Sequence, residues 1–350
     1  MRTLRADALR SVVAQACERM GALPRDAAHV AASLVKANLC GYDSHGVFRL
    51  GQYHEWWKKG LLKPAAQPEL AEERGFAALV DGHWAFGQVV ARFAGQTALH
   101  RAQAGGCAVV TAKNSNHVGR LADVVEAVKD AGCIALAAAN DSGAGQRVVP
   151  WGGMDGRLST NPIAVGVPGG DGPGILFDFS TSAAASGKIR QLLLRGEETP
   201  DGWLIDATGS PTRDPASLFR EPHGFLLPAG GHRGYALSLL VEVLAGILSG
   251  AGFANASPGP EEMNGLFILA LDPSWFMPPA TFRTHVDLLT SHVKTARPLA
   301  GAGPVHIPGE RSRVEAARRE RAGIVLDDAS CATLAAVLRD LGLPDDLPDQ

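Results

Sequence analysis

Apolar residues recur at helical spacing over residues 6–20 and again over 26–39, which predicts two amphipathic helices. Pro24 and Asp26 suit the start of the second and Gly41 its end. A third helix is predicted over about 47–60, so the chain opens with a helical layer. VVARFAGQTALHRAQ reads as another helix, leading through Gly105 and Gly106 into the short strand CAVVTA. A helix over 121–129 and the strand CIALAAAN follow, and strand–helix–strand is the texture of an α/β core. Residues 150–180 differ. Glycine, proline and aspartate separate short apolar runs there, which predicts short strands and irregular loops, and residues 196–230 continue in that manner. HRGYALSLLVEVLAGILS, residues 232–249, is an apolar helix, GLFILALD a strand, and the tail from Arg311 ends in helices such as LAAVLRDLG. No internal repeat is found. Boundaries near 80 and 310 give a helical N-terminal region (1–80), an α/β core (81–310) and a C-terminal helical tail (311–350) expected to pack on the N-terminal region.

Composition narrows the class. The 350 residues are 46% hydrophobic and 20% charged, with a net charge of −3, so a globular protein is expected and general electrostatic binding of nucleic acid is not. The five cysteines are odd in number and form no CxxC pair, which argues against a disulfide framework or a cysteine-rich zinc site and for a reducing compartment. MRTLRADALRSVV lacks the pattern of a signal peptide, and the most apolar run, LSLLVEVLAGILSG, contains Glu242 and is too short to span a bilayer. A cytoplasmic location is expected. Glu242 itself is expected to pair with a basic residue or to face a boundary or partner.

Two histidines stand in glycine-bounded polar sequence, His45 in GYDSHGVFR and His117 in KNSNHVGR, each followed by an arginine, Arg49 and Arg120. Imidazole titrates near neutrality and guanidinium clamps carboxylates, so the pairs suggest proton transfer on a small anion. Ser44 would orient an imidazole or a substrate oxygen, and it equally suits a helix cap. The asparagines before His117 sit where α/β folds place ligand groups, and they are also good turn formers. NDSGAGQRVVPWGG allows close backbone approach to a ligand, yet no Walker loop and no GxGxxG follow the strands, so a Rossmann fingerprint is absent. GGHRGYALSLL places His232 and Arg233 before an apolar helix, a plausible phosphate site or a plain glycine turn. His54 is read as a specificity residue or as an ordinary helical one. No HExxH or similar metal motif occurs, although scattered histidines leave a zinc hydrolase open, and a catalytically silent structural protein is the third alternative.

An ordered series of segments changes the weight of these signals. GYDSHGVFRLGQY, NSNHVGR, STNPIAVGVP, FDFSTSAAASGK, DGWLIDATG, GGHRGYALSLLVEVL and the late PGE resemble, over nearly the whole chain, the type-2 malate/L-lactate dehydrogenase family. That family includes ureidoglycolate, sulfolactate, diketogulonate and cyclic-imine enzymes. The resemblance implies an α/β fold with a non-Rossmann mixed sheet, a helical N-terminal layer and extra C-terminal helices. It implies NAD or NADP as cofactor, a homodimer, and a small 2-hydroxy or 2-oxo acid as substrate, with a cyclic 2-imino acid as the alternative. It further implies His45 and His117 as proton-transfer groups with Ser44 beside them, and Arg49 on the substrate carboxylate. Asp141, Thr160 and Asn161 would line the substrate and nicotinamide region. Asp178, Ser180, Thr181, Ser182, Lys188, His232, Arg233, Gly309 and Glu310 would meet the cofactor, with Arg233 standing where members commonly carry lysine.

Overall fold

The N-terminal periodicity folds as its spacing predicts. In the computed structural model, which describes residues 1–143, 145–254, 263–345 and 347, strand β1 (Arg2–Leu4) leads into α1 (Ala6–Arg19) and α2 (Pro24–Leu39). A 3-10 turn at Asp43–His45 then precedes α3 (Arg49–Lys58). Pro24 occupies the first turn of α2, where a missing N–H leaves no intrahelical bond unmade. Leu9, Val13, Ala16, Val30, Leu34 and Val35 form the buried stripes of α1 and α2.

The core follows as β2 (Glu69–Arg74), β3 (Ala77–Asp81), α4 (Gly87–Gly105), β4 (Cys107–Lys113), α5 (Ala122–Asp130), β5 (Ile134–Ala139), β6 (Ile163–Val167) and β7 (Ile175–Phe179). Then come α6 (Ser186–Arg195), the short strands β8 (Leu204–Ile205), β9 (Pro211–Thr212) and β10 (Phe225–Leu226), α7 (His232–Val241) and β11 (Leu266–Leu271). The chain closes with α8 (Pro279–Lys294), α9 (Glu310–Ala322), β12 (Ile324–Leu326) and α10 (Asp328–Asp340). Seven strands form one mixed sheet in the order β2-β3-β4-β11-β5-β6-β7, in which β3 and β4 are parallel and the other neighbours antiparallel. Alternate residues serve its two faces. Val110, Ala112, Ile268 and Ala270 pack with α4 and α5, while Val109, Phe267 and Leu269 pack with Val241 and Ala245 on the other face.

Several expectations shift. The sheet begins at Glu69, so residues 69–80 belong to the core and not to the helical layer. The tail is not only helical: β12 pairs antiparallel with β1, and Leu326, Leu334 and Leu338 join the same buried cluster as Leu9 and Leu34. The apolar helix stops being α-helical at Val241 and continues as a π-helical turn, Glu242–Ile247. Helices α6 and α8 were not expected. Each buries a single apolar residue, Ile189 and Val286; in α8, Phe282, Val286, Leu289 and Val293 do recur at helical spacing, but Leu289 and Val293 stay exposed. No helix among the described residues is long and apolar enough to cross a membrane.

Candidate active site

Sheet topology gathers the polar loops. Strands β4 and β5 both run antiparallel to β11, so their C-terminal ends meet where β11 begins: Leu266 pairs with Ala112 on one side and Ala139 on the other. The start of β6 and the end of β7 fall at the same edge, through Ala138–Ile163 and Ile163–Phe179. The loops after β4, β5 and β7 and those before β6 and β11 therefore converge. With the 3-10 turn from the helical layer they line a cleft of about 190 Å3, whose walls include Ser44, His45, Arg49, His117, Asn140, Asp141, Thr160, Asn161 and Asn264.

Local packing explains how the helical layer reaches the sheet edge. Asn38 near the end of α2 accepts from Val47 N (2.9 Å) and donates to Asp43 (2.7 Å), which fixes the turn carrying Ser44 and His45. At the start of α6, Gly187 abuts Ser44 so closely that a Cβ would collide with it, and Gly87 of α4 likewise has room for no side chain against the His117 carbonyl. Asn116 donates to the Trp84 and Ala85 carbonyls (2.8 and 3.1 Å). It braces the histidine loop and does not line the cleft.

The two imidazoles face each other with ring centroids 5.5 Å apart. Ser44 Oγ lies 3.0 Å from His45 Nδ1, and Arg49 Nε donates to the Ser44 carbonyl (2.9 Å). Burial, then the charges of Arg49 and Arg120, push the His45 imidazole down to about 3. Burial and Arg49 hold His117 well below the usual imidazole range as well. Both rings are therefore neutral at pH 7. Arg120 is not a second clamp: it is buried behind the site, donating to Cys40 Sγ (2.9 Å) and Glu126 (3.1 Å).

A carboxylate organises the cleft floor. Glu242, buried at the start of the π-helical turn, accepts from Asn161 Nδ2 (2.8 Å), Asn140 Nδ2 (3.0 Å) and Ala254 N (3.1 Å). Its partners are amides, not the basic residue that was one of the alternatives expected, and its burial departs from the other, a boundary position. Asn140 in turn accepts from Asn264 through its backbone carbonyl (2.8 Å), and Asn264 accepts from Val118 N (3.0 Å). The Asn161 side-chain nitrogen is fully engaged, also on Ser238, and its Oδ1 is buried with no partner among the described residues.

The other expected residues divide. Asp141 and Thr160 line the cleft. His54 does not: its Nε2 lies 3.0 Å from Asp340 of α10, on a different face of α3 from Arg49 and Tyr53. Thr181 N and Oγ1 both donate to the Thr160 carbonyl, and Ser180 and Ser182 bond within their own turn. Asp178 is half-buried under the N-terminus of α5, accepting from Ala122 N (2.8 Å), and loss of solvent around the carboxyl pushes it up to about 6. Lys188, His232 and Arg233 are exposed, with Lys188 over Trp203 and His232 edge-on to Trp151. Gly309 and Glu310 begin α9 beside β7, where Glu310 accepts from Lys294 (2.7 Å). Tyr53, Gln88, Asn140 and Asn264 were not anticipated. The one sequence signal for Tyr53 is its i,i+4 spacing from Arg49 on a helix. Among the described residues no three His, Cys, Asp or Glu side chains gather as metal ligands do.

Comparison with known proteins places this geometry. Residues 4–335 match the family model described as malate/L-lactate dehydrogenase. The chain belongs to that family. It is 33% identical to hydroxycarboxylate dehydrogenase B of Escherichia coli, over 97% of this chain and 95% of that protein. It is 35% identical to an L-lactate dehydrogenase of Cupriavidus necator, over 87% and 88% respectively. The solved sulfolactate dehydrogenase of Methanocaldococcus jannaschii superposes with a TM-score of 0.88 at 30% identity, covering 98% of each chain. The protein is accordingly an NAD(P)-dependent oxidoreductase of small 2-hydroxy and 2-oxo acids.

Proposed function

We propose that the cleft binds a small 2-hydroxy or 2-oxo acid with its carboxylate on Arg49 and its C2 oxygen between His45 and His117. One observation carries this reading: a guanidinium and two neutral imidazoles share the wall of a single small cleft. A nicotinamide dinucleotide, NAD or NADP, supplies or removes the hydride at C2. The residues present fit such a ring, because the unpartnered Asn161 Oδ1 suits a carboxamide N–H. Thr160 and Asn161 would hold that ring. Lys188, His232 and Arg233 would meet the phosphates, and Asp178, Ser180, Thr181, Ser182, Gly309 and Glu310 would shape the backbone around them.

His45 is the proton-transfer group in this scheme. Without substrate, Arg49 helps hold its ring neutral. A bound carboxylate pairs with Arg49 and cancels that repulsion, so the imidazole becomes more basic when there is an oxygen to serve. The 5.5 Å separation of the rings disfavours charging both, so the pair carries at most one positive charge near neutrality. Ser44 holds His45 at Nδ1 and leaves Nε2 for the substrate.

A homodimer completes the proposal. The buried residues of α7 are Gly234, Ser238 and Val241, whereas Leu237, Leu239 and Leu240, with Val243, Ile247 and Leu248 beyond, are exposed. A helix that turns its large apolar side chains outward is suited to a second copy of the chain.

The test is a spectrophotometric screen of small 2-oxo, cyclic 2-imino and 2-hydroxy acids with NADH, NADPH and their oxidised forms. Oxidation of reduced cofactor by 2-oxo acids, with proton uptake from weakly buffered dye solution on binding of a 2-oxo acid, is expected. Turnover confined to uncharged carbonyl compounds would defeat the reading.

A further inference from the structure

A buried line of hydrogen bonds runs behind His117 and has no role so far. Gln88 Nε2 donates to Tyr53 Oη (2.7 Å), and Tyr53 Oη lies 2.8 Å from His117 Nδ1. All three residues are buried. A phenol has a single hydrogen. When the amide donates to its oxygen, that hydrogen can be given to His117 Nδ1 at 2.8 Å, which is then bare. The reverse chain, with Nδ1–H donating to Tyr53 and Tyr53 to the amide oxygen, requires Gln88 to be turned over. That would put its NH2 where Oε1 now stands buried without a partner. An unpaired buried NH2 is costlier than an unpaired carbonyl oxygen, so the first chain is favoured. A neutral ring that is bare at Nδ1 carries its hydrogen on Nε2.

His45 differs in the group at its Nδ1. The Ser44 hydroxyl can rotate, donating to a bare nitrogen or accepting from a protonated one. His45 can therefore gain and lose a proton with Nδ1 satisfied in both states. Tyr53 has no such freedom while Gln88 donates to it.

We propose that Tyr53 and Gln88 are positioning residues that lock His117 as the Nε2–H tautomer, making it a hydrogen-bond donor to the substrate's C2 oxygen and leaving proton transfer to His45. The role toward substrate rests on the proposed reading of the cleft, whereas the tautomer does not. The lock also means that His117 polarises a carbonyl without itself becoming charged, which the closely facing His45 ring favours.

The decisive measurement is the 15N spectrum of histidine-labelled full-length protein at pH 7 without ligands, with His117 assigned by difference from His117→Gln. A bare Nδ1 and a protonated Nε2 are expected, and Tyr53→Phe should shift His117 toward the other tautomer. An Nδ1–H ring or an imidazolium in the wild-type protein overturns the proposal, whether or not Tyr53→Phe folds. In turnover, His117→Gln keeps an N–H donor at a changed position, so kcat should fall while the pH-dependent limb of the wild type is retained. His45→Gln should lose on the order of 10²–10⁴. Loss of the pH-dependent limb in His117→Gln, with the limb retained in His45→Gln, refutes the division of roles. Failure of every substrate in the screen refutes the proposed function and leaves the tautomer to be decided by the spectrum.

Discussion

Replacing Glu242 by glutamine tests the floor of the cleft with almost no change of shape. The carboxylate accepts three hydrogen bonds, one at Oε1 and two at Oε2, all from N–H donors. Glutamine must place its NH2 at one of those positions, donor against donor. The cheaper choice is the Oε1 site, where only the bond from Asn161 is lost. A hydrogen bond to a charged group contributes ~1.5–3 kcal/mol, so at least that much stability should go. The two remaining bonds weaken to neutral strength, and relief from burying a charge offsets part of this. We expect E242Q to be destabilised by about 2–3 kcal/mol in urea unfolding at fixed protein concentration. Asn161 is also released from one of its anchors, so kcat/KM should fall by about tenfold or more, as expected when a group lining a reaction site is misplaced. An E242Q protein within about 0.5 kcal/mol of wild type, with unchanged kcat/KM, would falsify the view that this carboxylate sets the cleft floor.

Arg49→Lys keeps the charge and loses the planar fork, so KM for a carboxylate substrate should rise by about tenfold or more, and an unchanged KM removes the clamp. Asp178 makes a signed pH prediction. Its folded pKa is raised from 3.8 to about 6, so the native state holds this proton more tightly than the unfolded chain. Its contribution is most favourable below the unfolded value and declines as pH rises through the folded one, by roughly 3 kcal/mol in all. Asp178→Asn retains an acceptor for Ala122 N and should flatten the change in urea midpoint between pH 4 and pH 7; an undiminished pH dependence would show that other groups cause it. Leu240→Glu combined with Ile247→Glu puts two charges on the outward apolar face of α7 and its extension. Light scattering should show the monomer mass, and a persistent dimer would move the interface elsewhere.

The chain announced its helical N-terminus, its strand–helix–strand core and the motifs around His45 and His117, because each rests on local spacing or on a short run of residues. The choice between neighbours on α3 was not local. Tyr53 and His54 are adjacent, and a helix turns them about 100° apart. The polar histidine looked like the candidate, yet packing turns Tyr53 inward to His117 and His54 outward to Asp340. Glu242 shows the same divide. An acid in an apolar run hinted at a basic partner or a boundary position, whereas its side-chain partners are two asparagines on loops 81 and 102 residues away in sequence, brought to it by the strand order.

Sequence alone thus determined which segments are helical or extended and which residue types are available for acid–base and carboxylate chemistry, since those follow from side-chain periodicity and intrinsic reactivity. Tertiary structure decided which of those groups meet. The antiparallel placement of β11 between β4 and β5 brings distant loops to one sheet edge, and the burial found there makes both imidazoles neutral, because the cost of charge depends on what surrounds a group in space.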